Sequence, residues 1–258
     1  MLKNKLITWN PQFYRNFPGF SSLLPVWQQW ENRQENWPTV ADYNRYRSPQ
    51  AKALEFIRQI PGINYEKSIY FDLFIPTREG NWHDFFNNLT WLQFEKTKWT
   101  LVERSVQENA KIKQAPRNHL QNQLAHFDEC GMVICANRED LLIKIRAHQW
   151  REFFTDPELT QNCEAFILGH GLYEKALNPF IGMTGKAILL FVEKDFLKGN
   201  SQDKINIIDT EIAKQISQSK QLVLQPFPLL GWPGWFKDNT NSDFFSNQYY
   251  FRPQAKRQ

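Results

Sequence analysis

A histidine flanked by two glycines is the residue of this sequence best suited to chemistry. His170 lies in GHGLYEK (169–175), directly after EAFILG (164–169), which has the composition of a strand. In α/β proteins, functional side chains gather where a strand ends and a helix begins. Glu174 follows one helical turn later, so the pair could share a proton or bind one metal ion. We expect His170 and Glu174 to be catalytic, although the glycines would also suit an unusual turn.

A second candidate lies at the start of a predicted helix, in GNWHDFFNNLTWLQF (80–94). Asn81 is placed to cap the helix, and Asp84 to bond back to the cap amide. His83 and Asn87 are four residues apart and share one flank of the apolar stripe. That stripe consists of Trp82, Phe85, Phe86, Leu89 and Leu92. The pattern favours a capped core helix, and a catalytic role requires His83 and Asn87 to face a cleft together.

Two adjacent carboxylates, Asp128 and Glu129, form a third candidate in HFDECG (126–131). They could serve as acids, bases or metal ligands. Adjacent carboxylates before a glycine are also typical of an exposed turn, and we favour that interpretation. The segment 124–137 is therefore predicted to be a β-hairpin.

Composition limits the function classes. The chain has 258 residues, 41% of them hydrophobic, and a net charge of +4 that is spread along the sequence, which argues against nucleic-acid binding. The longest apolar run, 187–192, is far shorter than the roughly 20 residues that span a membrane. The start of the chain lacks the apolar stretch of a secretory signal, and no Cys-x-x-Cys pair is present, so we expect a cytoplasmic protein.

Several familiar catalytic motifs are missing from the sequence. It contains no phosphate-binding loop, no Gly-x-Gly-x-x-Gly, no Gly-x-Ser-x-Gly and no His-Glu-x-x-His. These gaps argue against nucleotide-driven and serine-hydrolase chemistry. His119 and His148 have no partners by spacing and are predicted to be structural or surface residues.

The pattern of elements predicts one globular domain over 1–258 with a mixed α+β fold. A helix-rich, aromatic N-terminal half packs on a small sheet, and strands and helices alternate in the C-terminal half. Residues 1–50 are rich in aromatics and proline and should cover the core. Predicted helices are 49–60, 95–113, 138–154 and 209–217, the last capped by Asp209, and predicted strands are 164–169 and 185–193.

Several segments resemble one known family. PTREGNWHDFFNNLTWLQFEKTK, HFDECGMVI, ILGHGLYEKALNPFIGMTG, PFPLLGWPGW and YYFRP are similar to the bacterial family of domains of unknown function 3025. The resemblance covers residues 70–253. It implies membership of that family and supplies no activity.

The leading functional hypothesis is a cytoplasmic enzyme with a polar cluster of His83, Asn87, His170 and Glu174. A divalent metal is a candidate cofactor, with His170, Glu174 and Asp128 as candidate ligands, and hydrolysis is the commonest chemistry of such a set. This hypothesis requires His83 and His170 to line one pocket.

Two other functions remain open at this point. One is a non-catalytic module that binds a small molecule or a protein in an aromatic-lined cleft. The other is nucleic-acid binding through aromatic stacking and the basic tail of Arg252, Lys256 and Arg257. A basic stripe on the surface would favour the latter.

Overall fold

The computed structural model describes residues 8–33, 35–47, 53–111 and 118–254. Residues 49–52 of the predicted first helix, parts of the predicted 1–50 segment, and Lys256 and Arg257 of the tail lie outside these ranges. The strands are β1 (Glu55–Arg58), β2 (Phe74–Thr77), β3 (Gly131–Ala136), β4 (Cys163–Ile167), β5 (Thr184–Phe191) and β6 (Gln225–Pro228).

Helices make up most of the remaining described chain, and the fold is mixed α and β as predicted. The α-helices are α1 (Leu24–Trp27), α2 (Val40–Arg45), α3 (Tyr65–Lys67), α4 (Trp82–Gln93), α5 (Glu95–Lys111), α6 (His119–Cys130), α7 (Glu139–Arg146), α8 (Trp150–Phe154), α9 (Leu159–Asn162), α10 (His170–Ala176), α11 (Lys194–Lys198) and α12 (Ser201–Gln218). Shorter 3₁₀ turns span Phe13–Asn16, Pro18–Leu23, Gln28–Arg33, Leu229–Gly231, Lys237–Thr240 and Ser242–Ser246, and a π-helical turn spans Ser68–Asp72. Within the described ranges, no helix has both the length and the apolar character that crossing a membrane requires.

A four-stranded sheet in the order β4-β3-β5-β6 is the middle layer of the molecule. Its central strand β3 pairs antiparallel with β4 and parallel with β5. Because successive side chains of a strand point to opposite faces, β3 contributes to two cores. Met132 and Ile134 face the larger, aromatic core, whereas Val133 and Cys135 face a smaller core that also contains residues of α5, α6 and α12. The predicted strands at 164–169 and 185–193 are confirmed as β4 and β5.

The aromatic N-terminal segment covers one face of this assembly, as the sequence predicted. Phe20 stacks on Phe86 of α4 and on Tyr173 of α10, with ring centroids 5.5 and 5.8 Å apart. Phe86 and Tyr173 also stack directly on each other at 5.7 Å. Each of these rings is fully buried. This three-ring stack holds α4 and α10 at a fixed spacing.

The predicted hairpin over 124–137 is wrong in its first half. Asn118 and Gln121 form a capping box that starts α6, and the helix continues to Cys130. Leu120, Leu124 and Phe127 recur at the spacing of one helical face, and all three are buried. The glycine therefore marks a change from helix to strand, and it is not part of a hairpin turn.

Two predicted helices also need correction. The segment 49–60 contains strand β1, which pairs in parallel with β2. Leu54 and Phe56 are two residues apart and both buried, as expected for one face of a strand. The predicted helix 138–154 is two helices, α7 and α8. They are separated at His148, which has the left-handed φ of 53° that a continuous helix cannot contain.

Asp209 does not cap the predicted helix 209–217, because that segment is the second half of α12. Asn200 caps α12, accepting a hydrogen bond from the Asp203 amide. The buried Asp209 carboxylate instead accepts hydrogen bonds from the backbone amides of Lys96 (3.1 Å) and Thr97 (2.8 Å) in the first turn of α5. A residue of one helix therefore caps another, since the first amides of a helix have no partners of their own.

We expect Asp209→Ala to lower the free energy of unfolding by about 0.5–2 kcal/mol, the usual cost of a lost N-cap. Asp195→Ala is the matched control, because its side chain is 92% exposed and forms a surface ion pair with Lys198. The control should stay within about 0.5 kcal/mol of wild type in urea denaturation followed by circular dichroism. Equal losses in the two variants would contradict the capping role.

Candidate functional site

Three helix ends bring together His83, Glu129 and His170. His83 is the second residue of α4, Glu129 is the last but one of α6, and His170 is the first of α10. The start of β3 lies beside the end of β4, because the two strands are antiparallel neighbours. The helix that precedes β3 and the helix that follows β4 therefore meet at one edge of the sheet.

Close backbone packing fixes this meeting point. The amides of Leu168 and Gly169 donate hydrogen bonds to the Gly131 carbonyl at 3.0 and 2.9 Å. A β carbon on Gly169 would lie 2.4 Å from the backbone nitrogen of Gly131, and one on Gly171 would lie 2.4 Å from Oε2 of Glu129. The glycines beside the histidine thus allow a close approach of the two backbones.

The side-chain atoms of His83, Glu129 and His170 converge on one point. The two Nε2 atoms are 3.2 Å apart, and Oε1 of Glu129 lies 3.4 Å from Nε2 of His170 and 4.0 Å from Nε2 of His83. A tetrahedral zinc ion with bonds of about 2.1 Å separates its ligands by about 3.4 Å. These three atoms therefore have the spacing of three ligands of one metal ion.

Glu174 orients the ring of His83. Its Oε2 lies 2.9 Å from Nδ1 of His83, close enough for a hydrogen bond. When Nδ1 carries the hydrogen and donates it to Glu174, Nε2 presents its lone pair towards His170 and Glu129. A carboxylate behind a histidine is the usual outer contact of a metal-binding imidazole. Glu174 raises the pKa of His83 above its ordinary value, more than partial burial lowers it.

Asp128 lies behind His170 as Glu174 lies behind His83, but at a longer distance. The side chain of His170 is only 5% exposed, and its Nδ1 lies 3.8 Å from Oδ2 of Asp128, too far for a direct hydrogen bond. Nδ1 has no hydrogen-bond partner within the described part of the chain. In turn, His170 lowers the pKa of the Glu129 carboxyl, against the effect of burial. Both histidines thus have a carboxylate on the side away from the shared point.

A buried lysine holds Asp128 in place. Lys98 of α5 is 3% exposed and donates hydrogen bonds to Asp128 and, at 2.8 Å, to Oδ1 of Asn87. Burial raises the pKa of the Asp128 carboxyl, but Lys98 and the two histidines together lower it by more, so the net shift of the pKa is downward. Asp128 is therefore ionised at neutral pH and can attract a proton or a cation to His170.

A cavity of about 410 Å³ opens over these groups. Arg78 lies at its rim and forms a bidentate ion pair with Asp84, with Nη2 2.6 Å from Oδ1. Asp84 also accepts a hydrogen bond from the Arg78 amide at 2.7 Å, so it does not bond back to the cap residue as predicted. Asn81 does cap α4, accepting from the Asp84 amide at 3.1 Å. The lining residues are Gln59, Tyr65, Pro76, Arg78, His83, Asp84, Asn87, Asp128, Glu129 and His170.

The structure brings the predicted residues together in a different pairing. His83, Asn87, His170 and Asp128 line the cavity, whereas Glu174 contacts His83 and not His170. Asn87 binds Tyr65 and Lys98. Asp128 does not lie in an exposed hairpin turn, because it belongs to the last turn of α6 and packs against Lys98.

Lys98 and Tyr65 of the site were not predicted, and a ligand role for Glu129 was only the less favoured alternative to an exposed turn. Reading Leu120, Leu124 and Phe127 as a helical face would have identified Glu129 as the end of a helix beside His170. Lys98 lies on the buried stripe of α5, between Phe94 and Leu101, and a lysine at such a position is a signal of a buried charge. No pattern in the sequence identifies Tyr65. It belongs to a three-residue helix that runs directly into the π-helical turn Ser68–Asp72.

The pairing of His83 with Glu174 predicts a change in titration. In metal-free protein, Glu174→Gln should lower the pKa of His83 towards its ordinary value, because the acceptor loses its charge. Histidine ring resonances followed by NMR measure this pKa. The ring resonances of the exposed His119 serve as the internal reference in both proteins.

The same pair predicts how stability depends on pH. A histidine whose pKa is raised by folding contributes its full stability below about pH 6.5, the unfolded value, and loses it as pH rises through the folded value. The contribution should be at most about 1 kcal/mol, since both side chains are partly exposed. An unchanged His83 pKa in Glu174→Gln would disprove the pairing.

The two glycines beside His170 should respond differently to substitution. Gly169→Ala places its β carbon against backbone atoms and should cost about 1–3 kcal/mol or more of stability. Gly171→Ala meets mainly the carboxylate end of Glu129, which can rotate away, so its stability loss should be smaller. Chemical denaturation of both variants measures the difference, and a larger loss for Gly171→Ala would contradict this packing.

Comparison with known proteins identifies one family. The family described as "Protein of unknown function (DUF3025)" matches residues 54–255, which include His83, Glu129, His170 and Glu174. No curated protein and no solved structure matches the chain. The family match covers most of the chain and agrees with the resemblance of its motifs, so this protein is a member of the DUF3025 family.

Proposed function

We propose that the protein is a metal-dependent hydrolase whose centre is formed by His83, Glu129 and His170. The observation that carries the proposal is the convergence of two Nε2 atoms and one carboxylate oxygen at 3.2, 3.4 and 4.0 Å. Two histidines and one glutamate that leave a fourth position open are typical of catalytic zinc sites, whereas structural zinc sites use four protein ligands.

The charge of the surrounding groups also supports a divalent cation. Among the described residues, the four carboxylates of Asp84, Asp128, Glu129 and Glu174 lie beside two fixed cations, Arg78 and Lys98. With neutral histidines, this group carries an excess of two negative charges. A divalent ion would neutralise them. The Nε2 atoms of His83 and His170, 3.2 Å apart, also repel each other when both present a lone pair or both carry a hydrogen.

Each residue has a definite role in this proposal. His83, Glu129 and His170 bind the ion, Glu174 orients His83, and Asp128 faces the far side of His170. When bound, a divalent ion lowers the pKa of a coordinated water and polarises an acyl or phosphoryl oxygen. Hydrolysis adds the hydroxyl of a water to carbon or phosphorus and passes the other hydrogen of that water to the leaving group. Asp128, a cavity carboxylate outside the three proposed ligands, would carry this proton.

The position of both histidines in one cavity favours an enzyme over a binding module. A module that holds a ligand between aromatic rings has no need of paired histidines with carboxylates behind them. The aromatic side chains instead pack in the core, as the Phe20, Phe86 and Tyr173 stack illustrates. We propose a small-molecule substrate that enters the cavity of about 410 Å³. We propose a cytoplasmic location because all three cysteines are free thiols.

Metal titration tests the centre. Zinc or manganese added to chelator-treated wild type should bind at one site by calorimetry. Glu174→Ala should weaken binding about 10–100-fold, as loss of an outer contact does, and His83→Ala or His170→Ala should weaken it more. His119→Ala is the matched control because His119 is exposed on the same protein, and it should bind as wild type does.

Activity of the metal-loaded protein tests the reaction class. The wild type should hydrolyse members of a panel of p-nitrophenyl esters and bis(p-nitrophenyl) phosphate, and His170→Ala should not. Absence of metal binding in wild type, or equal rates in wild type and His170→Ala for every compound, would refute the proposed function. Equal metal loss in His119→Ala and His83→Ala would assign the binding to nonspecific surface sites.

A further inference from the structure

A tyrosine hydroxyl in the same cavity has a fixed direction of hydrogen bonding. Tyr65 begins α3 and lines the cavity with His83 and His170. Its oxygen accepts hydrogen bonds from Nδ2 of Asn87 at 2.7 Å and from Nε1 of Trp91 at 3.0 Å. These two contacts occupy both lone pairs of the oxygen.

The buried lysine forces the direction of these bonds. An ammonium group only donates, so the Asn87 atom that Lys98 contacts at 2.8 Å must be the oxygen. The amide NH₂ of Asn87 must then face Tyr65 and donate to it. An indole N–H also only donates, so Trp91 gives the Tyr65 oxygen its second hydrogen bond. The chain of donors therefore runs from Lys98 through Asn87 to Tyr65.

The hydroxyl hydrogen of Tyr65 remains to be placed. No side chain or backbone group of the described ranges accepts it, although Tyr65 borders the cavity. Burial raises the pKa of Tyr65 well above its usual range, so the group keeps its hydrogen at neutral pH. Tyr65 is partly buried and borders the cavity, so a ligand oxygen there would accept this hydrogen in place of water.

We infer that Tyr65 is a substrate-binding donor that gives its hydroxyl hydrogen to an oxygen of the substrate. The substrate class is then one that presents an acceptor oxygen to Tyr65, a carbonyl or phosphoryl compound, while another part of the molecule reaches the metal. This inference rests on the proposed function. Lys98 and Asn87 are positioning residues, because they hold Tyr65 in the donor orientation.

Hydroxamates and a thiol as metal-binding probes test the inference. Cobalt-loaded protein reports ligand binding through its visible spectrum. The probes are acetohydroxamate, which has one carbonyl group, and the monohydroxamates of malonamic and succinamic acid. These two carry a second carbonyl oxygen, which lies further from the metal-binding end in the succinamic compound. The thiol 2-mercaptoethanol binds metals through sulfur, a weak acceptor. Tyr65→Phe removes only the hydroxyl.

Tyr65→Phe should bind cobalt as wild type does and weaken at least one hydroxamate about 10–100-fold, the range expected for a hydrogen bond to a charged or polarised group. Its affinity for 2-mercaptoethanol should not change. Tyr43→Phe is the matched control, because Tyr43 is a buried tyrosine that lies outside the cavity lining. It should leave every affinity unchanged.

The other outcomes separate the inference from the proposed function. Unchanged affinity for all hydroxamates in Tyr65→Phe would overturn the inference while the metal centre stands. An equal loss for the thiol would also overturn it, because Tyr65 would then act through the shape of the site. Failure of the wild type to bind cobalt at all would overturn the proposed function, and the inference with it.

Discussion

The pair of hydrogen bonds from Leu168 and Gly169 to the Gly131 carbonyl is the constraint on which the site depends. It joins the end of β4 to the start of β3, so the helix that ends before β3 and the helix that begins after β4 meet. Glu129 belongs to the first helix and His170 to the second. Glycine at 169 is required because any β carbon there would overlap the opposite backbone. Two of the proposed metal ligands, a carboxylate and a histidine, are thus positioned by backbone contacts, which adapt little in a closely packed fold.

The third residue of the centre is positioned by a different force. His83 lies on α4, which does not pair with the sheet and is held against α10 by stacked rings. Phe86 and Tyr173 stack at 5.7 Å, and Phe20 of the N-terminal segment covers both. Burial of each ring contributes roughly 1.5–3 kcal/mol. The aromatic richness of the chain therefore has a local purpose, because it sets the distance between the two histidines.

The sequence predicted those features that depend on local pattern. Asn81 as a cap, the strands at β4 and β5, and the position of His170 at a strand-to-helix junction all follow from residues close in the chain. The pairing of His83 with Glu174 joins residues 91 apart and has no local signature. The turn expected at Asp128 failed because turn residues also occur at helix ends, and the capping box at Asn118 was not recognised.

Electrostatics links the periphery of the site to its centre. Lys98 is a buried residue of α5, and its charge is compensated by Asp128 of α6. Asp128 in turn faces His170 of α10, so these charged groups link three helices. The most direct test of the account is anomalous diffraction from crystals of the protein grown with zinc. We expect one strong anomalous peak of zinc about 2.0–2.2 Å from Nε2 of His83, Nε2 of His170 and a carboxylate oxygen of Glu129. A zinc peak elsewhere, with these three side chains hydrogen-bonded only to one another, would contradict it.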